Sequence, residues 1–234
     1  MAVNTGRMPP LGSTRWLWML QLSIVALVLL ALCSLSSGTP ASRSWNFDAD
    51  PSNAPPHDFE VGTLFDGRPA GEWKVLVAEK AKSPPQVLGQ VQGKGAEHAY
   101  KVILATGAEP SDLDLSVSFL ALDGKADMGG GLMWRAADDR NYYLTRANPL
   151  EQNIRIYRVV MGVRQMLKNV DQIIDVKGWH TLRVITQGCR IQVFYDEAPV
   201  FDLCDRTFAS GRIGLWTKAD AVTYFDDLVL RRLD

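Results

Sequence analysis

The stretch from Gly129 to Val159 concentrates residue types that recognise sugars. Aromatic rings cover the apolar C–H side of a pyranose, whereas Arg and Asn donate directional hydrogen bonds to its hydroxyl groups. Both types recur here on segments that have the composition of β-strands. The candidate ligand-binding residues are Trp134, Tyr142, Arg146, Asn148, Asn153, Arg155 and Tyr157.

These residues share one face of a sheet if the strands pair as their turns suggest. A turn at residues 149–152 sets Arg146 opposite Arg155. Extending the sheet to the preceding strand places Trp134 beside Leu144 on that same face, because side chains alternate along a strand. The other face then carries residues suited to a core: Met133, Thr145, Ile154 and Ile156.

Two arginines directly across from each other repel. We therefore expect Glu151, another acid or an anionic ligand beside Arg146 and Arg155. The alternative is that Trp134 and Tyr157 cover a sheet beneath a loop, while the arginine stems lie over it with solvated head groups.

Groups suited to catalysis are sparse. Glycosidases generally use two carboxyl groups that flank the scissile bond, but the sequence has no strand with a Glu-x-Asp-x-Glu pattern. Asp112 and Asp114 are interpreted as the solvent-facing side of a strand. His57, His98 and His180 are interpreted as surface or strand-end histidines, and no Gly-x-Ser-x-Gly segment is present. The sequence assigns no catalytic residue.

Calcium is the one cofactor for which the sequence offers ligands. Asp48 and Asp50 alternate in the segment DADPSN and offer oxygen ligands to a hard cation, and Asp226 joins them if the chain termini meet. The downstream Glu of an EF-hand is missing, so a solvated loop stays the alternative. No other metal or cofactor is expected.

Cys189 and Cys204 are candidates for a disulfide bond. A two-residue turn at residues 196–197 would pair positions whose numbers sum to 393, and these two cysteines satisfy that sum. An even pair of cysteines in an oxidising compartment favours a bond. Two reduced, small side chains are the alternative.

The amino terminus carries an export or membrane signal. Arg7 and Arg15 precede an uncharged, mostly apolar run at residues 16–35. A secretory core is usually about 7 to 15 residues, whereas a membrane-spanning helix takes about 20. Residues 1–38 are therefore predicted to be a signal peptide or a signal anchor. Either places the rest of the chain outside the cytoplasm, in the periplasm or the extracellular space, with residues 16–35 as a hydrophobic membrane helix if uncleaved.

The remainder is predicted to be a linker at residues 39–58 and one all-β domain at residues 59–234. The linker is rich in Ser, Pro, Ala and Asn. In the domain, short runs of Val, Ile, Leu, Tyr and Phe recur between Gly, Asp and Asn clusters. Such spacing predicts a two-sheet antiparallel β-sandwich. The predicted strands are 73–78, 86–91, 100–104, 113–122, 131–136, 142–147, 154–160, 164–170, 179–186, 190–195, 200–203, 212–217 and 222–230.

The composition is that of an ordinary globular protein, with 47% hydrophobic and 22% charged residues. Removing Arg7 and Arg15 with the first 38 residues leaves 23 basic and 26 acidic residues, a net charge of −3. Nucleic-acid binding needs a clustered basic surface, which the sequence does not indicate. A neutral partner is expected instead.

Four segments resemble the concanavalin A-like, laminin-G-like jelly-roll superfamily. They are GGGLMWRAADDRNYYLTRAN, NIRIYRVVMGVRQML, GWHTLRVITQGCRIQVFYDEAPVF and GRIGLWTKADAVTYFDDLVL. The resemblance covers roughly Phe47 to Leu230 and is closest to bacterial extracytoplasmic domains grouped as 3-keto-disaccharide hydrolase-like. It implies a β-sandwich that handles glycans, some relatives hydrolysing oxidised disaccharides. The opening TLFDGRPAGEWKV only loosely matches the Leu-Phe-Asn/Asp-Gly-Lys start of the catalytic members.

Three functions are compatible with these features. The leading hypothesis is a domain that binds a carbohydrate or glycosylated surface without catalysis. The second is a hydrolase of 3-keto-glycosides or related disaccharides, and the third is a structural module of the cell envelope. A buried carboxylate or histidine with a shifted pKa in a cleft would favour the hydrolase. Exposed aromatic rings without such a group would favour binding.

Overall fold

A computed structural model describes residues 1–3, 6, 42–176 and 178–234. The chain divides into two compact units, Met1–Thr39 and Pro40–Asp234. Within the described residues, no helix has the length and apolar character needed to cross a membrane. The predicted hydrophobic helix at residues 16–35 lies outside the described residues.

The described part of the second unit is built from β-strands and contains no helix. All thirteen predicted strands are present, and two further strands precede them. The strands are β1 (Ser42–Trp45), β2 (Phe59–Val61), β3 (Trp73–Val77), β4 (Gln86–Gln90), β5 (Tyr100–Ala105), β6 (Leu113–Asp123), β7 (Gly130–Asp138), β8 (Asn141–Asn148), β9 (Asn153–Val160), β10 (Val163–Asp171), β11 (His180–Gln187), β12 (Arg190–Tyr195), β13 (Ala198–Cys204), β14 (Arg212–Lys218) and β15 (Val222–Arg232).

The strands form two sheets, which confirms the predicted antiparallel sandwich. The eight-stranded sheet has the order β13-β12-β11-β6-β15-β4-β3, with β1 also paired to β15. The seven-stranded sheet has the order β10-β9-β8-β7-β14-β5-β2. Neighbours in both sheets run antiparallel.

Two apolar clusters hold the sandwich together. The larger lies between the sheets and takes residues from both, including Leu115 and Phe119 of β6 and Ile154 and Ile156 of β9. The smaller is built on strands of the seven-stranded sheet, on the side turned away from the other sheet. We call this side the outer face. The segment at residues 62–71 covers part of it with apolar side chains.

The linker predicted at residues 39–58 joins the sandwich from Ser42 onward. Strand β1 pairs Ser42 with Arg231 of β15. Trp45 and Phe47 are buried in the core between the sheets, and both rings pack against Phe59. The apolar side chains of this segment lie on a short strand and an irregular turn, so the sequence shows no period that would reveal them.

A β-bulge in β7 overturns part of the predicted register. Trp134 pairs with Tyr143 instead of Leu144, and the irregular part of β7 follows it. Arg135 in this bulge has a φ of 48°, in the left-handed region. The bulge adds residues to β7 but not to its neighbours. Side chains of β7 that precede the bulge therefore point to the opposite face from the one predicted. Trp134 therefore lies between the sheets, and Met133 lies on the outer face.

The disulfide prediction is confirmed, because Cys189 and Cys204 are bonded with their Cα atoms 4.8 Å apart. The predicted turn at residues 196–197 is present, and both its residues have positive φ. A bulge in β13 shifts the register beyond the turn, so that Cys204 pairs with Arg190 instead of Cys189. The bond joins strand β13 to the residue before β12.

Candidate ligand-binding site

Six of the seven predicted ligand-binding residues lie together on the outer face. Strands β8 and β9 pair in the predicted register: Arg146 with Arg155, Asn148 with Asn153, and Leu144 with Tyr157. Tyr142 is two residues from Leu144 on β8, so its side chain points to the same face, and it belongs to the outer apolar cluster. Trp134 is the exception, and its prediction as a ligand-binding residue on this face is wrong because of the bulge.

Glu151 separates the two facing arginines, as the sequence predicts. Its Oε2 accepts from Arg146 Nη2 at 2.9 Å and lies 2.7 Å from Arg155 Nη1. Arg146 Nη1 also donates to Asn153 Oδ1 at 2.7 Å. Burial alone would raise the pKa of the Glu151 carboxyl, but Arg146, Asn153 and Arg155 outweigh it and hold that pKa below its usual value. Glu151 is therefore ionised at neutral pH.

Asp127, in the loop before β7, completes this charged group. Its carboxylate is 3% exposed, its Oδ1 accepts from Asn148 Nδ2 at 3.2 Å, and its Oδ2 lies 3.4 Å from Lys218 Nζ. Burial raises the pKa of Asp127, and the charges of Arg146 and Lys218 offset the rise only in part. The arginine cluster, as named here, consists of Asp127, Arg146, Glu151, Arg155 and Lys218.

Gly131 brings the arginine cluster next to an indole ring. It pairs with Arg146 on one side and with Trp216 of β14 on the other. A Cβ at this position would lie 2.7 Å from Leu144 Cδ1 and 2.8 Å from the carbonyl oxygen of Thr145. Only a glycine fits there, because any Cβ would clash with the side chain of Leu144 and the backbone of Thr145.

Arg164 of β10 lies over a group of aromatic rings. Its guanidinium carbon is 4.3 Å from the ring centre of Tyr157, 5.6 Å from that of Tyr100 and 5.8 Å from that of Trp216. Such cation–π contacts hold the guanidinium in place. Among the described residues no carboxylate forms an ion pair with Arg164. The ring cluster, as named here, consists of Tyr100, Tyr157, Arg164 and Trp216.

Buried polar atoms without a hydrogen-bond partner collect on this face. Nine such atoms occur among the described residues, and five belong to the outer face: Asp127 Oδ2, Tyr142 OH, Arg146 Nε, Arg164 Nη1 and Trp216 Nε1. Leaving such an atom unsatisfied costs about 1–3 kcal/mol. Their concentration around the two clusters indicates that other molecules, water or a ligand, supply partners here.

The outer face is less open than the sequence analysis predicts. Tyr142 is fully buried and Tyr157 is 4% exposed, because Leu64 and Ala70 of the covering segment pack in the same apolar cluster. The rings are thus walls of the site and not an exposed platform. The partly exposed side chains that a ligand would meet first are Glu151, Arg155, Arg164 and Tyr100.

Five residues of this site were not predicted from the sequence: Tyr100, Asp127, Arg164, Trp216 and Lys218. Arg164, Trp216 and Lys218 come from β10 and β14, far along the chain from β8. Their strands showed a β composition, but only the sheet order places them beside the predicted arginines. Asp127 lies in a Gly-rich loop, where the sequence has no period to show which way a side chain points.

The predicted calcium ligands lie in separate hydrogen-bonded settings. Asp48 Oδ1 accepts from the backbone of Gln86 at 3.0 Å, and Asp50 Oδ1 accepts from the backbone of His57 at 3.1 Å. Asp226 is buried and accepts both the backbone N–H and the hydroxyl of Ser83. In the part of the chain that the structure describes, no group of three His, Cys, Asp or Glu side chains is arranged to hold a metal ion.

Comparison with known proteins identifies the fold. No family model matches the sequence. A levanase of Bacillus subtilis (strain 168) is 24% identical over 141 residues, which cover 59% of this chain but only 20% of the levanase. The carbohydrate-binding module CBM66 from Bacillus subtilis superposes with a TM-score of 0.60 at 20% identity, covering 74% of this chain and 95% of the module.

This chain therefore shares its two-sheet β-sandwich fold with that module. A Crh5 transglycosylase also shares it, with a TM-score of 0.58, 12% identity and coverage of 86% of this chain and 89% of the enzyme. Carbohydrate-binding and glycosidase domains are thus both among its structural neighbours. The narrower resemblance to 3-keto-disaccharide hydrolase-like domains stays a prediction.

Proposed function

We propose that this chain is an exported carbohydrate-binding domain that holds a glycan on the outer face of its seven-stranded sheet. The five unpartnered polar atoms beside the arginine and ring clusters carry the proposal. The likeness of the fold to a carbohydrate-binding module supports it. The basic residues and the apolar run at the amino terminus support export, with residues 16–35 as a membrane attachment if they are retained.

The two clusters offer the groups that sugar recognition needs. Arg146 Nε, Arg164 Nη1 and Trp216 Nε1 are donors without hydrogen-bond acceptors, and Asp127 Oδ2 accepts no hydrogen bond although it forms an ion pair with Lys218. A sugar hydroxyl both donates and accepts, so a single ring can satisfy groups of both kinds. Their positions are fixed by strands of one sheet, so the ligand meets a site that is already formed.

Binding without catalysis is favoured because the carboxylates are already engaged. Glu151 is held between two guanidinium groups, and Asp127 lies between Asn148 and Lys218. In this setting they orient the arginine and lysine side chains. The similar levanase makes levan oligosaccharides the first ligands to test.

The test is titration calorimetry on the full-length chain, kept in a detergent without a sugar headgroup because of the apolar run at residues 16–35. Arg155→Ala and Arg164→Ala remove partly exposed groups, and each is expected to weaken binding at least about tenfold. Arg190→Ala is the matched control, since Arg190 pairs with Asp202 on the eight-stranded sheet. Unchanged affinity in both site variants would overturn the proposal.

A hydrolase of glycosidic bonds, such as those of 3-keto-glycosides, is the second candidate. One observation favours it: the pKa of Asp127 is raised while that of Glu151 is lowered, both beside Arg146. Environments that separate two carboxyl pKa values are typical of an acid and its partner base. Turnover of levan or a 3-keto-disaccharide that is lost in Asp127→Asn would establish the hydrolase. Binding without turnover would exclude it for those substrates.

A further inference from the structure

A cavity lies between the segment at residues 64–68 and the loop at residues 92–99, next to the start of β5. Its volume is about 410 Å³, within the range of roughly 300–1,000 Å³ that is usual for ligand pockets. We call it the Lys101 pocket. The lining residues that matter here are Leu64, Phe65, Arg68, Lys94, His98 and Lys101.

Tyr100 connects this pocket to the ring cluster. Its ring centre is 5.6 Å from that of Trp216, and Arg164 lies over it. Tyr100 also lines a small cavity of about 30 Å³ that shares Phe65 and His98 with the Lys101 pocket. The Lys101 pocket and the ring cluster are therefore neighbours that are joined by shared wall residues.

Lys101 is a buried cation whose charge is offset only in part by Asp220, which lies too far away to form a salt bridge with it. Lys101 is 1% exposed, and its ammonium group donates a hydrogen bond to the carbonyl oxygen of Gln92. This is its one hydrogen bond to the described residues, although an ammonium has three donors. Within those residues it forms no ion pair. A buried charge is costly without a counter-ion, so the site is suited to an anion.

The other walls of the pocket offer a positive charge and an aromatic ring, the two groups that suit a negatively charged sugar. Lys94 adds positive charge, while Arg68 and Asp66, the one acid in the lining, neutralise each other in an ion pair. Phe65 is 69% exposed and is the one largely exposed aromatic ring in the described part of the chain. The guanidinium of Arg140 lies 4.7 Å from its ring centre, which fixes the ring while leaving it accessible. An accessible ring can cover the C–H side of a sugar.

We propose that the Lys101 pocket is a second subsite, which binds a sugar unit carrying a carboxylate or sulfate group on the same glycan that occupies the arginine cluster. The anion would accept hydrogen bonds from Lys101 and Lys94, and the sugar ring would lie against Phe65. This inference rests on the proposed function, because it assigns the chemical class of one part of the ligand.

The experiment uses pairs of probes that differ in charge. Oligogalacturonate is compared with its methyl ester, and dextran sulfate with dextran, by calorimetry on the full-length chain. At least one acidic probe is expected to bind about tenfold more tightly than its neutral partner, as charge-assisted hydrogen bonds predict. Lys101→Met and Lys94→Gln should each abolish that preference. Lys82→Gln, an exposed lysine between β3 and β4, is the control.

The outcomes separate the two proposals. The subsite is overturned if neither acidic probe is preferred, or if the preference survives in both lysine variants. Levan binding that still depends on Arg155 and Arg164 would then leave the proposed function standing. If neither the acidic probes, nor their neutral partners, nor levan bind to the protein, both proposals fail. Lys94 is exposed, so its variant gives an answer even if Lys101→Met unfolds the protein.

Discussion

Arg146 and Arg155 face each other across β8 and β9, and both guanidinium groups contact the same oxygen of Glu151. Without that carboxylate the pair would be two like charges on neighbouring strands, one of them almost completely buried. The stability of this part of the sheet and the geometry of the candidate site thus depend on one partly exposed side chain. This dependence can be measured.

Replacing Glu151 with Gln is expected to lower the free energy of unfolding by about 1–3 kcal/mol, because buried Arg146 loses its counter-ion. Urea unfolding followed by tryptophan fluorescence measures the change. Glu60→Gln is the matched control, because Glu60 is mostly exposed and pairs with Arg212 on the surface; it should cost at most about 0.5 kcal/mol. Equal effects of the two substitutions would contradict the assigned role of Glu151.

The same carboxylate should give stability a dependence on pH. The pKa of Glu151 is lower in the folded protein than its ordinary value. Its contribution is therefore present above the unfolded-state pKa, about 4.3, and is lost as the pH falls through the folded-state pKa. The free energies of unfolding of the wild type and of Glu151→Gln should differ at about pH 6 and become equal as the pH falls to about 3. A constant difference over that range would refute this linkage.

Lys101 should make the stability of the protein depend on pH in the alkaline range. Burial lowers its pKa to about 8, below the ordinary lysine value of about 10.4. The folded protein releases this proton before the unfolded chain does, so stability should rise from this group as the pH increases from about 8 to about 10.4. Lys101→Met should remove the rise and be more stable than the wild type at neutral pH. The exposed control Lys82→Met should retain the wild-type profile.

Two buried tryptophans provide a matched pair for locating the ligand. Trp216 lies on the outer face and Trp134 lies between the sheets, and both are almost inaccessible. Trp216→Phe removes the unpartnered indole N–H and is expected to weaken glycan binding about fivefold to tenfold. Trp134→Phe should reduce stability but leave the affinity of the folded protein unchanged. The reverse pattern, measured by calorimetry, would place the ligand elsewhere.

The disulfide should support the eight-stranded sheet without affecting the site. The Cys189–Cys204 bond closes a loop with a sequence separation of 15, for which the chain-entropy model gives about 3 kcal/mol. The double variant Cys189→Ser, Cys204→Ser should unfold at correspondingly lower urea concentration. Glycan affinity measured well below that concentration should not change, since the bond and the candidate site lie on different sheets. A large loss of affinity would indicate coupling between the sheets.

The sequence predicted the strands and the pairing of β8 with β9 because both follow from local patterns. Alternation defined each strand, and a short connection limited how Arg146 and Arg155 could face each other. The placement of Trp134 failed because a bulge is not visible in alternation. The backbone turns at Arg135, and a shift of one residue exchanges the faces.

The rest of the site depends on contacts that are distant in sequence. Arg164 and Trp216 reach the predicted arginines only through the sheet order. Burial of Tyr142 and Tyr157 depends on a covering segment at residues 62–71, whose path is set by its contacts with the sheet. A single sequence gives no information on such packing. The rings of Tyr142 and Tyr157 were therefore predicted to be exposed but are buried in the structure.

The pairing of β1 with β15 ties the first strand of the sandwich to its last. Ser42 lies beside Arg231, so both ends of the described sandwich are held in one sheet. The arginine cluster lies on the outer side of the other sheet. Removing Ser42–Trp45 would therefore leave the backbone N–H and C=O groups of residues 228–231 without their partner strand on that side, while the strands that carry the candidate site would keep all their neighbours.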